Sequence, residues 1–165
     1  MDSSFQIHAN WIQARRKQDT DQREYVKERS TSHISCTKWQ PPAAGTFKIN
    51  VDASVFPGAN NFSIGMVMRN YACDFMAARN CKISGEVSVF EAESVGVCEA
   101  LSWIKEMQRQ EDEIIIESDS QLSVNAIRAT RINYLEVGEV IESCKQLLNS
   151  FHKVSVVFVR KMRTR

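Results

Sequence analysis

From Thr46 to Ala53 the chain reads Thr-Phe-Lys-Ile-Asn-Val-Asp-Ala, a strict alternation of apolar and polar side chains. Successive side chains of a strand point to opposite faces, so this run predicts a strand that buries Phe47, Ile49 and Val51 and turns Lys48, Asn50 and Asp52 the other way. At about Val89 the period changes. Ala92, Val95, Gly96, Ala100, Leu101, Trp103, Ile104 and Met107 recur at helical spacing through to about Gln108, the longest helix the sequence predicts. A chain that moves from strand period to helix period and back within one core is restricted to layered α/β architectures.

The remaining elements follow from the same test. A turn-rich stretch, Phe56-Pro57-Gly58-Ala59-Asn60-Asn61, precedes a second strand over Phe62 to Arg69. The tetrapeptide Asn70-Tyr71-Ala72-Cys73 separates it from a third over Asp74 to Lys82, a length that suits an antiparallel hairpin. Glu111 to Glu117 contains Ile114-Ile115-Ile116, a β-branched run bounded by charge that reads as a buried strand. Helices are predicted at about Ser120 to Ala129 and Leu135 to Ser150, and a last strand at Val154 to Val159. The order along the chain is βββ-α-β-α-α-β.

Upstream of this core, Phe5 to Lys17 has the pattern of a short amphipathic helix with Phe5, Ile7, Trp11 and Ile12 as its apolar residues. Gln18 to Thr37 is polar and charged, without a sustained apolar period, and reads as linker. Trp39-Gln40-Pro41-Pro42 closes it, because successive prolines disfavour helix and favour an extended approach. The expected division is an N-terminal helix and polar linker over residues 1–38 and one globular domain over 39–165.

No apolar run is long enough to span a membrane, and Met1 to Ala9 has neither the basic start nor the apolar stretch of a secretory signal. A soluble, intracellular protein is expected. Cys36, Cys73, Cys81, Cys98 and Cys144 are scattered, without C-x-x-C spacing, and odd in number, which argues against both a disulfide framework and a zinc site and for reduced thiols. Charge is uneven: residues 41–159 hold ten Lys and Arg against fifteen Asp and Glu, whereas Arg160, Lys161, Arg163 and Arg165 make the end basic. That arrangement suits either guidance of a phosphate backbone toward acidic groups or a solvated tail.

Three acids stand out by position. Asp52 ends the first predicted strand, Glu93 lies near the start of the long helix, and Asp119 follows the buried strand directly. Polar residues at strand ends and in the following loops are where α/β scaffolds commonly aim chemistry. Carboxylates, water and phosphate oxygens suit Mg²⁺, and two such ions can activate a water and stabilise a leaving oxygen in phosphodiester cleavage. Each acid also has a structural reading: Asp119 as a helix N-cap, Glu93 as a first-turn partner of the helix dipole, and Asp52 as a turn residue.

The segments Trp39-Gln-Pro-Pro-x-x-Gly45-x-Phe-Lys-Ile-Asn-Val-Asp52-Ala53, Ile64-Gly-Met-Val-Met-Arg69-Asn70, Ala92-Glu93 with Glu99-Ala-Leu-Ser-Trp103, and Ile116-Glu-Ser-Asp119-Ser120 occur in that order. Together they closely resemble the plant ribonuclease H-like domains of retrotransposon-derived reverse transcriptase proteins, over roughly Lys38 to Arg160. The resemblance implies a five-stranded mixed sheet flanked by helices. It makes Asp52, Glu93 and Asp119 the first three acids of a DEDD-type site for two Mg²⁺ or Mn²⁺ ions. It implies cleavage of the RNA strand of an RNA–DNA hybrid, with RNA selected through 2′-hydroxyl contacts. Asn60 and Asn61, in the loop after Asp52, and Ser120 and Gln121 are weaker candidates for contacts to the hybrid backbone. Family members usually continue past the last strand into a helix carrying the fourth metal-site residue; Phe-Val-Arg160-Lys-Met-Arg-Thr-Arg165 has no counterpart to it, so the final helix is expected to be missing. A non-catalytic nucleic-acid-binding module, or a truncated retrotransposon relic, is therefore the alternative to an active endoribonuclease.

Overall fold

The computed structural model describes residues 40–130 and 137–160. The predicted helix Phe5 to Lys17, the linker after it, and the basic residues Lys161, Arg163 and Arg165 lie outside the described residues. Strands β1 (Thr46–Phe56), β2 (Asn61–Arg69) and β3 (Phe75–Ser84) are followed by α1 (Val89–Glu106), β4 (Glu113–Ser118), α2 (Gln121–Arg128), α3 (Gly138–Asn149) and β5 (Val154–Phe158). The predicted βββ-α-β-α-α-β order is the order found.

The five strands form one mixed sheet in the order β3-β2-β1-β4-β5. β1, β2 and β3 pair antiparallel as a meander, whereas β4 and β5 run parallel to β1. Asn70 makes the tight β2–β3 reversal, with Oδ1 accepting from the amides of Ala72 and Asp74, each at 2.9 Å. Cys73 takes the left-handed conformation there, at φ 66°.

Register places Ile49, Val51, Ile64, Met66, Met68, Ile114, Ile116 and Val156 on one face, all buried. α1 lies directly on this face: a Cβ built on Gly96 would stand 2.9 Å from Val51 Cγ1, so only glycine permits the approach. The other helices join α1 on the same side. Cys144 Sγ of α3 donates to Ser94 O at 3.4 Å, and Ser123 Oγ of α2 donates to Phe90 O at 3.3 Å. Among the described residues no helix lies on the opposite face, where Lys48 is tied to the Gln40 carbonyl.

One prediction needs correction. Asp52 does not end β1; the strand runs on to Phe56, because Ser54, Val55 and Phe56 continue the antiparallel pairing with Ser63, Phe62 and Asn61. What ends at Asp52 is the parallel partner, since the β1–β4 register stops at Val51 and Ser118. β3 likewise starts one residue later and ends two residues later than the alternation suggested, at Phe75–Ser84. Cys73, Cys81, Cys98 and Cys144 are free thiols, and Cys36 lies outside the described residues.

Candidate active site

Asp52 and Asp119 reach the same point by parallel paths. β1 and β4 pair side by side as far as Val51 and Ser118, so the next residue of β1 and the first after β4 emerge at one edge. Asp119 is not the N-cap of α2. That role falls to Ser120, whose Oγ accepts from the Ser123 amide at 3.3 Å, while its own amide donates to Ser118 Oγ at 3.1 Å.

Glu93 arrives from the helix layer. Ser88 and Glu91 form a capping box, each side chain accepting from the other's backbone amide, so Glu91 serves the helix terminus. Glu93 lies two residues further in, beyond the capped end, and is 5% exposed. Its Oε1 accepts from the Ala53 amide at 3.3 Å. The close approach at Gly96 brings α1 near enough to β1 for this contact.

The three carboxylates thus converge: one oxygen from each of Asp52, Glu93 and Asp119 lies within 4.8 Å of the others. Asp52 and Asp119 are partly open to solvent and Glu93 is buried. An all-oxygen set, anchored on one side and reachable on the other, fits Mg²⁺ or Mn²⁺ in a site completed by water and phosphate oxygens. No nitrogen or thiolate ligand joins the group among the described residues.

Below this cluster the uncovered sheet face forms a groove of about 750 Å³, lined in part by Asn50, Asp52, Gly65, Ala78, Glu117 and Asp119. Sequence reading passed over Glu117, which is only 2% exposed. Its carboxylate takes Lys48 Nζ on Oε1 at 2.6 Å and Asn50 Nδ2 on Oε2 at 2.7 Å. The signal was present: Lys48, Asn50 and Glu117 are polar positions of central strands on one face, and buried charge requires a partner. Val159 and Arg160 border the same groove.

The weaker candidates separate into two groups. Ser120 and Gln121 adjoin Asp119, at the start of α2. Asn60 and Asn61 do not join the carboxylates: Asn61 lies four residues along β2 from Gly65, the partner of Asp52, a separation of roughly 13 Å. Asn60 adopts φ 45° and Asn61 Nδ2 donates to Ala59 O at 2.5 Å, so both shape the β1–β2 turn.

The Reverse transcriptase-like family matches residues 50–165. The chain belongs to that family. A search of curated proteins returns no match. RNase H1 of the halophilic archaeon Halobacterium salinarum superposes with a TM-score of 0.62 at 19% identity, covering 71% of this chain and 87% of that one. The N-terminal RNase H domain of a Mycobacterium tuberculosis protein gives 0.59 at 16% identity, covering 72% and 84%. LC11-RNase H1, solved in complex with an RNA/DNA hybrid, gives 0.60 at 16% identity, covering 70% and 86%. At these identities the likeness establishes the fold, which is RNase H-like.

Proposed function

We propose that this protein is a divalent-metal-dependent endoribonuclease that cleaves the RNA strand of RNA–DNA hybrids. The observation that carries the reading is the convergence of Asp52, Glu93 and Asp119 within 4.8 Å at the edge of an RNase H-like sheet. The hybrid bound to LC11-RNase H1, and that bound to a foamy viral protease-reverse transcriptase of which 20% superposes on this chain, support the choice of substrate.

In this reading the three acids would hold two Mg²⁺ or Mn²⁺ ions, which would supply an activated water and charge stabilisation for the departing oxygen. Glu93, tied to the Ala53 amide, fixes the buried side of the site. Asp52 and Asp119 face the solvent from which a phosphodiester approaches. Arg160, at the groove's border, contributes positive charge toward the backbone. Ser120 and Gln121 contact the backbone beside Asp119, and Asn60 and Asn61 meet it further along the duplex. Recognition of 2′-hydroxyls, with little dependence on base sequence, selects the RNA strand. Descent from a plant retrotransposon reverse transcriptase accords with the motif resemblance.

Among the described residues the cluster has three acids rather than four, which favours a second reading: a nucleic-acid-binding module that kept the fold. A labelled hybrid incubated with Mg²⁺ or Mn²⁺, beside Asp52→Asn, Asp119→Asn and a metal-free control, separates the two. Cleavage abolished in all three controls supports the nuclease. Salt-sensitive hybrid binding without cleavage by the folded wild type supports the binding module, and undiminished cleavage by Asp52→Asn removes the proposed mechanism.

A further inference from the structure

Among the described residues, Val89 and Leu122 are the large apolar side chains left exposed in the first turn of a helix, at 65% and 52%. A single exposed aliphatic is ordinary on a protein surface, but these two share one rim. β1, β3 and β4 run the same way, so α1 and α2 both begin at the edge where Asp52 and Asp119 emerge. Ser123 Oγ of α2 donates to Phe90 O of α1 at 3.3 Å, which holds the two first turns together. Val89 precedes Glu93 by four residues, one helical turn and about 6 Å further out. Leu122 follows Asp119 by three. Whatever the acids act on therefore meets this surface next.

The serines of the rim are turned to their own helices. Ser88 and Glu91 cap α1, and Ser120 caps α2 while its Oγ pairs with Ser123 Oγ at 2.7 Å. Val89 and Leu122 present only carbon to the solvent. A phosphate resting on them would shed water without gaining a hydrogen bond, and the bases of a duplex are paired and stacked inside it. The sugar is the part of a nucleic-acid strand that fits. A ribose seated there presses its 2′-hydroxyl against carbon and leaves a hydrogen bond unmade, whereas deoxyribose offers only C–H at that position.

We propose that Val89 and Leu122 seat the sugar beside the scissile phosphate and accept it as deoxyribose, so that the site takes strands in which RNA runs into DNA. This inference rests on the nucleic-acid reading of the carboxylate site and narrows it. Hydroxyls are read at other sugars, and the nucleotide next to the cut escapes that test.

The experiment reads binding and needs no turnover. Wild type, the double variant Val89→Ser with Leu122→Ser, and Val89→Asn are titrated as full chains with labelled duplexes sharing one DNA complement. The labelled strand is all RNA, or carries one RNA–DNA junction in either direction; Ca²⁺ replaces Mg²⁺, and salt is varied. Wild type should bind one of the junction duplexes at least as tightly as the all-RNA hybrid. The double variant should lose at least about tenfold in affinity for that duplex, as uncovering two half-exposed aliphatic side chains implies. Its slope against salt should match wild type, because no phosphate contact is removed. Val89→Asn offers a hydroxyl a partner and should shift preference toward the all-RNA hybrid by about fivefold. Both positions are exposed, and circular dichroism with the melting temperature confirms that each variant is folded. Wild-type preference for the all-RNA hybrid over both junctions, unchanged affinity of the double variant, a shallower salt slope, or no shift in Val89→Asn would overturn the proposal and leave the endoribonuclease reading standing. Binding of none of the duplexes by folded wild type would overturn both.

Discussion

The Ala53 amide donates to Glu93 Oε1 at 3.3 Å, one residue beyond Asp52, so the strand that carries one acid positions the next. Glu93 has two separable duties, an acceptor for the strand and a negative charge for the ions. Glu93→Gln keeps the acceptor and loses the charge. It should retain a near wild-type melting temperature while hybrid cleavage falls by at least about 100-fold, since loss of even a group behind the metal ligands commonly costs 10–100-fold. Glu93→Ala removes both and should lower the melting temperature as well. Equal activity of Glu93→Gln and wild type would exclude Glu93 from the metal site.

Gly96 sets the distance between helix layer and sheet. Its missing Cβ would lie 2.9 Å from Val51 Cγ1 and 3.5 Å from Ile64 Cγ2, both stiff β-branched side chains in central strands. Gly96→Val adds a branched side chain at this contact, and overpacking of this kind costs about 1–3 kcal/mol. Urea denaturation should show that loss. Because Val51 precedes Asp52, cleavage should fall further than the unfolded fraction accounts for.

Lys48 and Glu117 form an ion pair whose side chains are 11% and 3% exposed. Removing one partner from such a pair strands the other, at a typical cost of about 3–5 kcal/mol for full burial. Lys48→Met should therefore destabilise the fold by roughly 3 kcal/mol, slightly less than the full figure because Lys48 retains some solvent contact. The double variant Lys48→Met with Glu117→Leu should recover most of that loss in chemical denaturation. No recovery would mean that Asn50 and the Gln40 carbonyl, not the charge pair, dominate the site's energetics.

How much of this was legible beforehand depended on whether local pattern or distant partners decided the outcome. The alternation at Phe47, Ile49 and Val51 gave the buried face of β1 correctly, because side-chain direction in a strand is a local property. The end of β1 was not local: it depends on β2 continuing to pair as far as Asn61, and alternation weakens at Ser54-Val55-Phe56. For the acids, position near strand ends suggested Asp52 and Asp119, but convergence with Glu93 depends on the close packing at Gly96. The Asp119 N-cap alternative failed because Ser120 takes the cap. Glu117 escaped notice since an acid in a β-branched run looks like a strand boundary until Lys48 and Asn50 are seen to meet it. Gly65 carried a weak signal, an isolated glycine inside a strand, that marks the groove in the open face.

Cys144 tests the helix layer in a different way. Burial, reinforced by the neighbouring Cys98, pushes its thiol well above the usual range, and Sγ donates to Ser94 O at 3.4 Å. In the folded state the thiol stays neutral; in the unfolded chain it ionises near the ordinary value of about 8.5. The raised folded value means that this contribution to stability is complete below about pH 8.5 and is lost progressively as pH rises above it. For one thiol the loss between pH 7.5 and 9.5 amounts to about 1.4 kcal/mol. Urea denaturation of wild type and Cys144→Ala at both pH values isolates this term. The variant starts lower because of the cavity it leaves, but its decline with pH should be smaller by about that amount. An identical decline in the two proteins would mean that Cys144 ionises without unfolding, and so that α3 does not seal this side of α1.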